Sequence, residues 1–197
     1  MAIDFGYRER AVRNLTADRG VYVLCDLDRV PIYVGKSRDG IRSRVRRHLT
    51  SARSDIIANR QIDVWEVAWV MAYPAENATE MTQLEAALFH LFDARSALMN
   101  GQVPAKPDPP LAAQEPFQVV QVMADREIAE KLDPALRLPR QAGRYAELVE
   151  HFVAVKNSSQ VARAMQAHFV RLERYHARLL GLASVDAEPA ERAAVDA

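Results

Sequence analysis

The sequence predicts an α+β fold: a small three-stranded antiparallel sheet flanked by helices and followed by a helical C-terminal region. Three observations predict it. Two runs rich in β-forming residues, 20–26 and 32–34, flank a turn-forming stretch. A third such run follows an arginine-rich segment with helical periodicity. Beyond a proline-rich stretch, apolar residues recur only at helical spacing.

Taken in order, Gly20–Asp26 (GVYVLCD) is rich in Val and Tyr and reads as a strand. Asp26–Pro31 supplies two aspartates and a proline, which favour a turn, so the runs on either side form a hairpin. After Gly40, Ile41, Val45 and Leu49 fall on one helical face. Ile62–Ala72 (IDVWEVAWVMA) reads as the third strand, ended by Pro74. Met81, Leu84, Leu88, Leu91 and Phe92 mark one face of a helix over 78–94. Gly101–Pro116 holds five prolines in sixteen residues, which removes backbone donors and predicts a linker.

The expected division is a sheet-and-helix domain over 1–103, a linker over 104–116, a helical region over 117–183 and a disordered tail over 184–197. Helices are predicted over Arg140–Val155 and from a Ser158 or Ser159 cap to about Leu182. In the second, Val161, Met165, His168, Leu172, Tyr175 and Leu179 alternate steps of four and three. Such a seam packs on a partner helix, either within the chain or across a homodimer.

Composition excludes several classes. Of the 197 residues, 49% are hydrophobic and 26% charged, as in an ordinary globular protein, and no apolar run is long enough to span a bilayer. No secretory signal opens the chain, and a single cysteine, Cys25, suits a reducing compartment. A cytoplasmic protein is expected. The net charge is zero, but its distribution is uneven. Lys36, Arg38, Arg42, Arg44, Arg46, Arg47, Arg53 and Arg60 face only Asp39 and Asp55 in one window, whereas Ser184–Ala197 is acidic. A neutral chain with one basic face has the footprint of phosphate binding; the ordinary reading is a solvated helix.

Onto these elements falls a set of polar residues. Tyr22 and Tyr33 sit on the two strands of the hairpin, where antiparallel pairing brings both hydroxyls to one face. Lys36 follows. Arg44 and His48 lie four apart, on one side of the next helix. Glu85 is on the later helix and Asn100 just beyond it. Gly20-Val21-Tyr22 and Tyr33-Val34-Gly35, ten residues apart, together with this order of polar residues, resemble the GIY-YIG nuclease superfamily. Tyr33-Val34-Gly35-Lys36-Ser37 is similar to UvrC-like and restriction-type members, and Arg44-x-x-x-His48 leans towards the restriction-type branch. The resemblance covers about two-fifths of the chain.

The resemblance implies a DNA endonuclease using one divalent ion, Mg²⁺ or Mn²⁺. Glu85 would hold the metal, and Tyr22 would be the general base, supported by Tyr33. A free tyrosine ionises near pH ~10, so a base at neutral pH needs help from nearby positive charge. Lys36 and Arg44 would give that help, Arg44 also gripping the scissile phosphate, and His48 would share a proton with Tyr22 or bind phosphate. Gly35 and Asn100 would support the site, Asn100 by tying the helix end to the sheet. Arg38, Arg42, Arg46 and Arg47 would bind DNA.

Each residue alone has a plainer reading: strand packing for the tyrosines, solvated positions for Lys36 and Arg44, a surface histidine for His48, a C-cap for Asn100-Gly101. Thr82-Gln83-Leu84-Glu85 also reads as a capping box, with Glu85 closing a helix start. Two other functions stay open here, a non-catalytic nucleic-acid-binding module and a protein-interaction adaptor.

Overall fold

The computed structural model describes residues 4–50, 61–112 and 114–182. Arg53, Arg60 and the tail expected to be disordered lie outside the described residues. The hairpin forms as its turn chemistry dictates. Strand β1 (Gly20–Cys25) pairs antiparallel with β2 (Pro31–Ser37), setting Tyr22 opposite Gly35 and Leu24 opposite Tyr33. The Asp26 carboxylate accepts from the amides of Asp28 and Val30, both at 2.9 Å, and Arg29 takes a left-handed φ of 61° to close the turn.

The sheet has four antiparallel strands, not three, in the order β2-β1-β3-β4. Strand β3 (Trp69–Pro74) flanks β1, and β4 (Gln118–Gln121) covers the outer edge of β3. Unpaired amides and carbonyls along β3 need a neighbour, and the β-branched run directly after the prolines supplies it. The stretch expected to be helical over 117–183 therefore opens with a strand.

The third strand is also shorter than Ile62–Ala72. Residues 64–66 form a turn, with the Asp63 carboxylate accepting from the Trp65 amide at 3.1 Å. Side-chain cations take carbonyls that a strand would offer to a neighbour. Arg8 donates to Val64 and Val67 at 3.1 and 2.9 Å, and Lys131 to Trp65 at 3.1 Å. Apolar composition marked this segment as buried, but buried backbone can be satisfied without a ladder.

Six helices surround the sheet among the described residues. Helix α1 (Phe5–Val12), capped by Asp4, and α2 (Ile41–Thr50) pack on the face that carries Tyr22 and Leu24. Helix α3 (Ala78–Asp93) packs Met81, Leu84, Leu88 and Phe89 on the opposite face, against Val21, Val23 and Val34. Each such side chain contributes roughly 1.5–3 kcal/mol by burial. Helix α4 (Asp125–Lys131) is short. Helix α5 (Pro134–Ala154) starts earlier than Arg140, because Asp133 caps it and Pro134 suits the first turn. Helix α6 (Ser159–Leu179) is capped by Ser158.

The seam of α6 faces the chain itself. Its buried residues are Val161, Ala164, Ala167, His168, Arg171 and Tyr175, while Leu179 is exposed. The helix packs on α5 and sends Ala167 into the core of the sheet. The homodimer expected through this helix is not supported, since the face it needs is covered within the chain. Arg171 turns inwards instead of Leu172, held by the Asp26 carboxylate at 2.9 Å and the Pro31 carbonyl at 2.9 Å. Beside it Arg137 forks onto both oxygens of Glu66, at 3.1 and 2.7 Å, and reaches Asp28 at 2.6 Å. Burial pushes the Glu66 carboxyl up to about 7 even with Arg137 beside it. Burial also pushes His168 down to about 4, against the pull of the Gln61 carbonyl.

Candidate active site

Alternation along the hairpin divides the polar residues between the two faces of the sheet. Tyr22, Tyr33 and Gly35 share the face covered by α2, and Lys36 points to the face covered by α3. Because β2 is an edge strand, the two groups meet around its open side.

On the first face Tyr22 is fully buried, and its hydroxyl lies 2.6 Å from Nε2 of the buried His48. When the hydroxyl donates, Nε2 must be the unprotonated nitrogen. The Tyr33 ring stands 6.3 Å from the rings of both Tyr22 and His48. Gly35 makes this cluster possible. A Cβ at that position would fall 2.5 Å from the Tyr22 hydroxyl and 2.8 Å from the Tyr33 ring. Arg44 is half-buried one turn before His48 on α2.

On the second face Lys36 Nζ sits 2.7 Å from Glu85 Oε2. Helix α3 begins at Ala78, with Asn77 as its cap, so Glu85 lies inside the helix and closes no capping box. A cleft of about 530 Å³ opens here, lined by Tyr33, Lys36 and Glu85 and, on its far wall, by residues 100–105 and Gln160 of α6. Tyr33 is thus the tyrosine that borders the cleft, and Tyr22 lies behind it.

Asn100 grips β2 through its carboxamide. Its oxygen accepts from the Val34 amide at 3.0 Å, and its nitrogen donates to the Val34 carbonyl at 2.6 Å. The Met99 amide adds a bond to the Ile32 carbonyl at 2.8 Å, so this short segment acts as a substitute strand on the open edge.

The remaining arginines lie elsewhere. Arg46 faces α1, pairing with Glu9 at 2.8 Å, and Arg42 donates to the Leu15 carbonyl just past the end of that helix at 2.7 Å. With Arg47 they line a separate groove of about 590 Å³. Arg38 is exposed beyond the end of β2. None of these four borders the Lys36–Glu85 cleft.

Among the described residues no group of three or more His, Cys, Asp and Glu gathers. Glu85 offers a single carboxylate beside an open polar cleft. That donor set fits a small hard cation that keeps most of its waters, such as Mg²⁺, and does not suit a dehydrated all-protein cage. Gln160 and Gly101 also border the cleft and escaped the sequence reading. Gly101 resembled a helix cap, and nothing local marks Gln160, which lies far along the chain.

Residues 19–98 match the GIY-YIG catalytic domain. The matched segment, about two-fifths of the chain, is similar to a catalytic domain of the nuclease type. No curated protein and no solved structure matches the chain. Among the described residues, no helix is long and apolar enough to cross a membrane.

Proposed function

We propose that the chain is a metal-dependent endonuclease that hydrolyses phosphodiester bonds in DNA at the edge of β2. The observation that carries this reading is the arrangement around that strand: a tyrosine hydrogen-bonded to a histidine on one face, and a carboxylate paired with a lysine in a cleft on the other. Glu85 would hold Mg²⁺ or Mn²⁺, and such an ion, when bound, supplies charge neutralisation on the phosphoryl oxygens.

The chain's own residues do the rest. His48 gives the Tyr22 proton somewhere to go, which a phenol needs if it is to act as a base at neutral pH. Tyr33, on the cleft wall, orients the attacking water in front of Tyr22. Arg44, on the same face of α2 as His48, forks onto the scissile phosphate. Lys36 keeps Glu85 in place before substrate arrives and meets the phosphate once Glu85 takes the metal. The groove bordered by Arg42, Arg46 and Arg47 holds a further stretch of backbone.

The test is nicking of supercoiled plasmid with Mg²⁺ by the wild type, Tyr22→Phe and Glu85→Ala. Tyr22→Phe should lose activity by about 10²–10⁴-fold, the usual range for a general base, and Glu85→Ala, lacking the metal ligand, should lose it at least as severely. If the wild type nicks no better than Glu85→Ala on several DNA forms, the nuclease reading fails. Retardation of DNA that survives EDTA would then favour a binding module.

A further inference from the structure

Helix α6 lies outside the segment that matches the nuclease domain, yet it borders the cleft. We propose that Arg163 of α6 is a positioning residue for the nuclease site, locking the edge strand that carries Tyr33 and Lys36 to the helix that carries Glu85. The proposal rests on the nuclease reading for its activity readout alone.

The link runs through Asn100. Its carboxamide replaces a neighbouring strand at the open edge of β2, so the placement of Val34, and with it Tyr33 and Lys36, depends on where residue 100 is held. The carbonyl of Asn100 accepts from Arg163 Nε at 3.0 Å. Another nitrogen of the same guanidinium donates to the carboxylate of Asp93, at the end of α3. The Asp93 carboxylate in turn accepts from the Leu98 amide at 2.9 Å. Arg163 also lies 5.3 Å from the centre of the Phe89 ring, one turn beyond Glu85 on α3. A planar fork with fixed donors suits a residue that must hold two elements at a set separation, which a flexible ammonium does poorly.

Close backbone approach supports the same link. A Cβ at Gly101 would fall 2.9 Å from Cβ of Gln160 and 3.4 Å from its Cα, so only glycine lets α6 seat directly against residues 100–101. Gln160 then faces the cleft from the turn before Arg163. Arg163 is not what attaches the helix. Arg171 and Tyr175 hold α6 to the rest of the chain independently, through Asp26 and Arg137.

The experiment uses the full chain as wild type, Arg163→Ala, Arg163→Lys and, as a control on the same helix, Arg178→Ala. Plasmid nicking, thermal stability and hydrogen exchange at the Val34 amide are measured for each. Arg163→Ala should lower kcat about tenfold or more with KM within about twofold, because displacements well under an ångström already matter to a reacting geometry. Arg163→Lys should recover part of kcat, and Arg178→Ala should leave kcat unchanged at a similar melting temperature. Exchange at Val34 should quicken by about tenfold in Arg163→Ala and not in Arg178→Ala, since it reads local opening of the β2 edge. A kcat within twofold of wild type, a change confined to KM, or unaltered exchange at Val34 overturns the proposal. If the wild type nicks no DNA at all, the nuclease reading fails, and exchange at Val34 alone decides whether Arg163 holds the strand.

Discussion

Two ion pairs in this protein have the same separation and opposite surroundings. Lys36 and Glu85 meet at 2.7 Å with 35% and 22% of their side chains exposed, at the rim of the cleft. Arg137 and Glu66 meet at 2.7 Å with 2% and 5% exposed, beneath the α5–α6 hairpin. Water screens the first pair, so breaking it costs little and either partner can turn to a substrate or an ion. The second pair has lost its water, and each member is fixed by the other. Distance alone therefore does not separate a pair that can exchange partners from a buried structural one. Solvent exposure does.

The comparison can be broken most severely at the buried pair. Arg137→Ala should cost about 3–5 kcal/mol of stability, because Glu66 and Asp28 are left without their shared partner. Urea denaturation measures it, and a cost under about 1 kcal/mol would erase the contrast between the pairs.

Lys36→Met comes next and should act in the opposite sense. Stability should shift by about 1 kcal/mol or less, while plasmid nicking falls about 100-fold if Lys36 meets the phosphate. Equal losses of fold and function would place Lys36 with the structural pairs.

A further effect, about 3 kcal/mol across the full span, is expected from His168, which lies in the same buried layer as Arg137. The unfolded chain takes up its proton near pH 6.5, whereas the folded chain refuses it until about 4. Its contribution is therefore complete above 6.5 and declines as the pH falls towards 4. Glu66 acts oppositely. Its folded value near 7 against 4.5 unfolded lowers stability as the pH rises between them. The difference between wild type and His168→Gln isolates the histidine: relative to the variant, the wild type should lose stability as the pH falls from 6.5 to 4. Parallel profiles would remove His168 from the account.

The smallest effect belongs to another exposed pair, Arg46 with Glu9 at 2.8 Å. Arg46→Ala should change stability by about 0.5 kcal/mol or less. If the groove beside α2 holds DNA backbone, the salt dependence of binding should weaken by about one phosphate contact. An unchanged salt slope would leave Arg46 as a solvated surface residue.

The hairpin was legible because its signals are local. Asp26 and Pro31 announce the turn, and period-two alternation puts Tyr22 and Tyr33 on one face whatever surrounds them. The helix carrying Glu85 was legible too, and its start before Met81 removes the capping-box reading. The segment 62–68 was misread because an apolar run tells of burial but not of which groups satisfy its carbonyls. Here they are Arg8 and Lys131, more than fifty residues away in sequence on either side. Strand β4 left a signal, the run Phe117–Val122, which the neighbouring prolines obscured.

The sequence by itself determined that two tyrosines share a face next to a basic helix, and that a carboxylate follows on a later helix. Strand alternation and helical period depend only on neighbours along the chain. The tertiary structure alone decided that Lys36 and Glu85 meet on the opposite face, with Tyr33 between the two groups at the edge of β2. It also decided that Arg171, and not Leu172, turns inwards from α6, and that Arg163 reaches Asn100. Those contacts join residues from 49 to 145 positions apart. No local period encodes them, because they follow from which buried carboxylates and carbonyls still need a donor once the sheet and helices have packed.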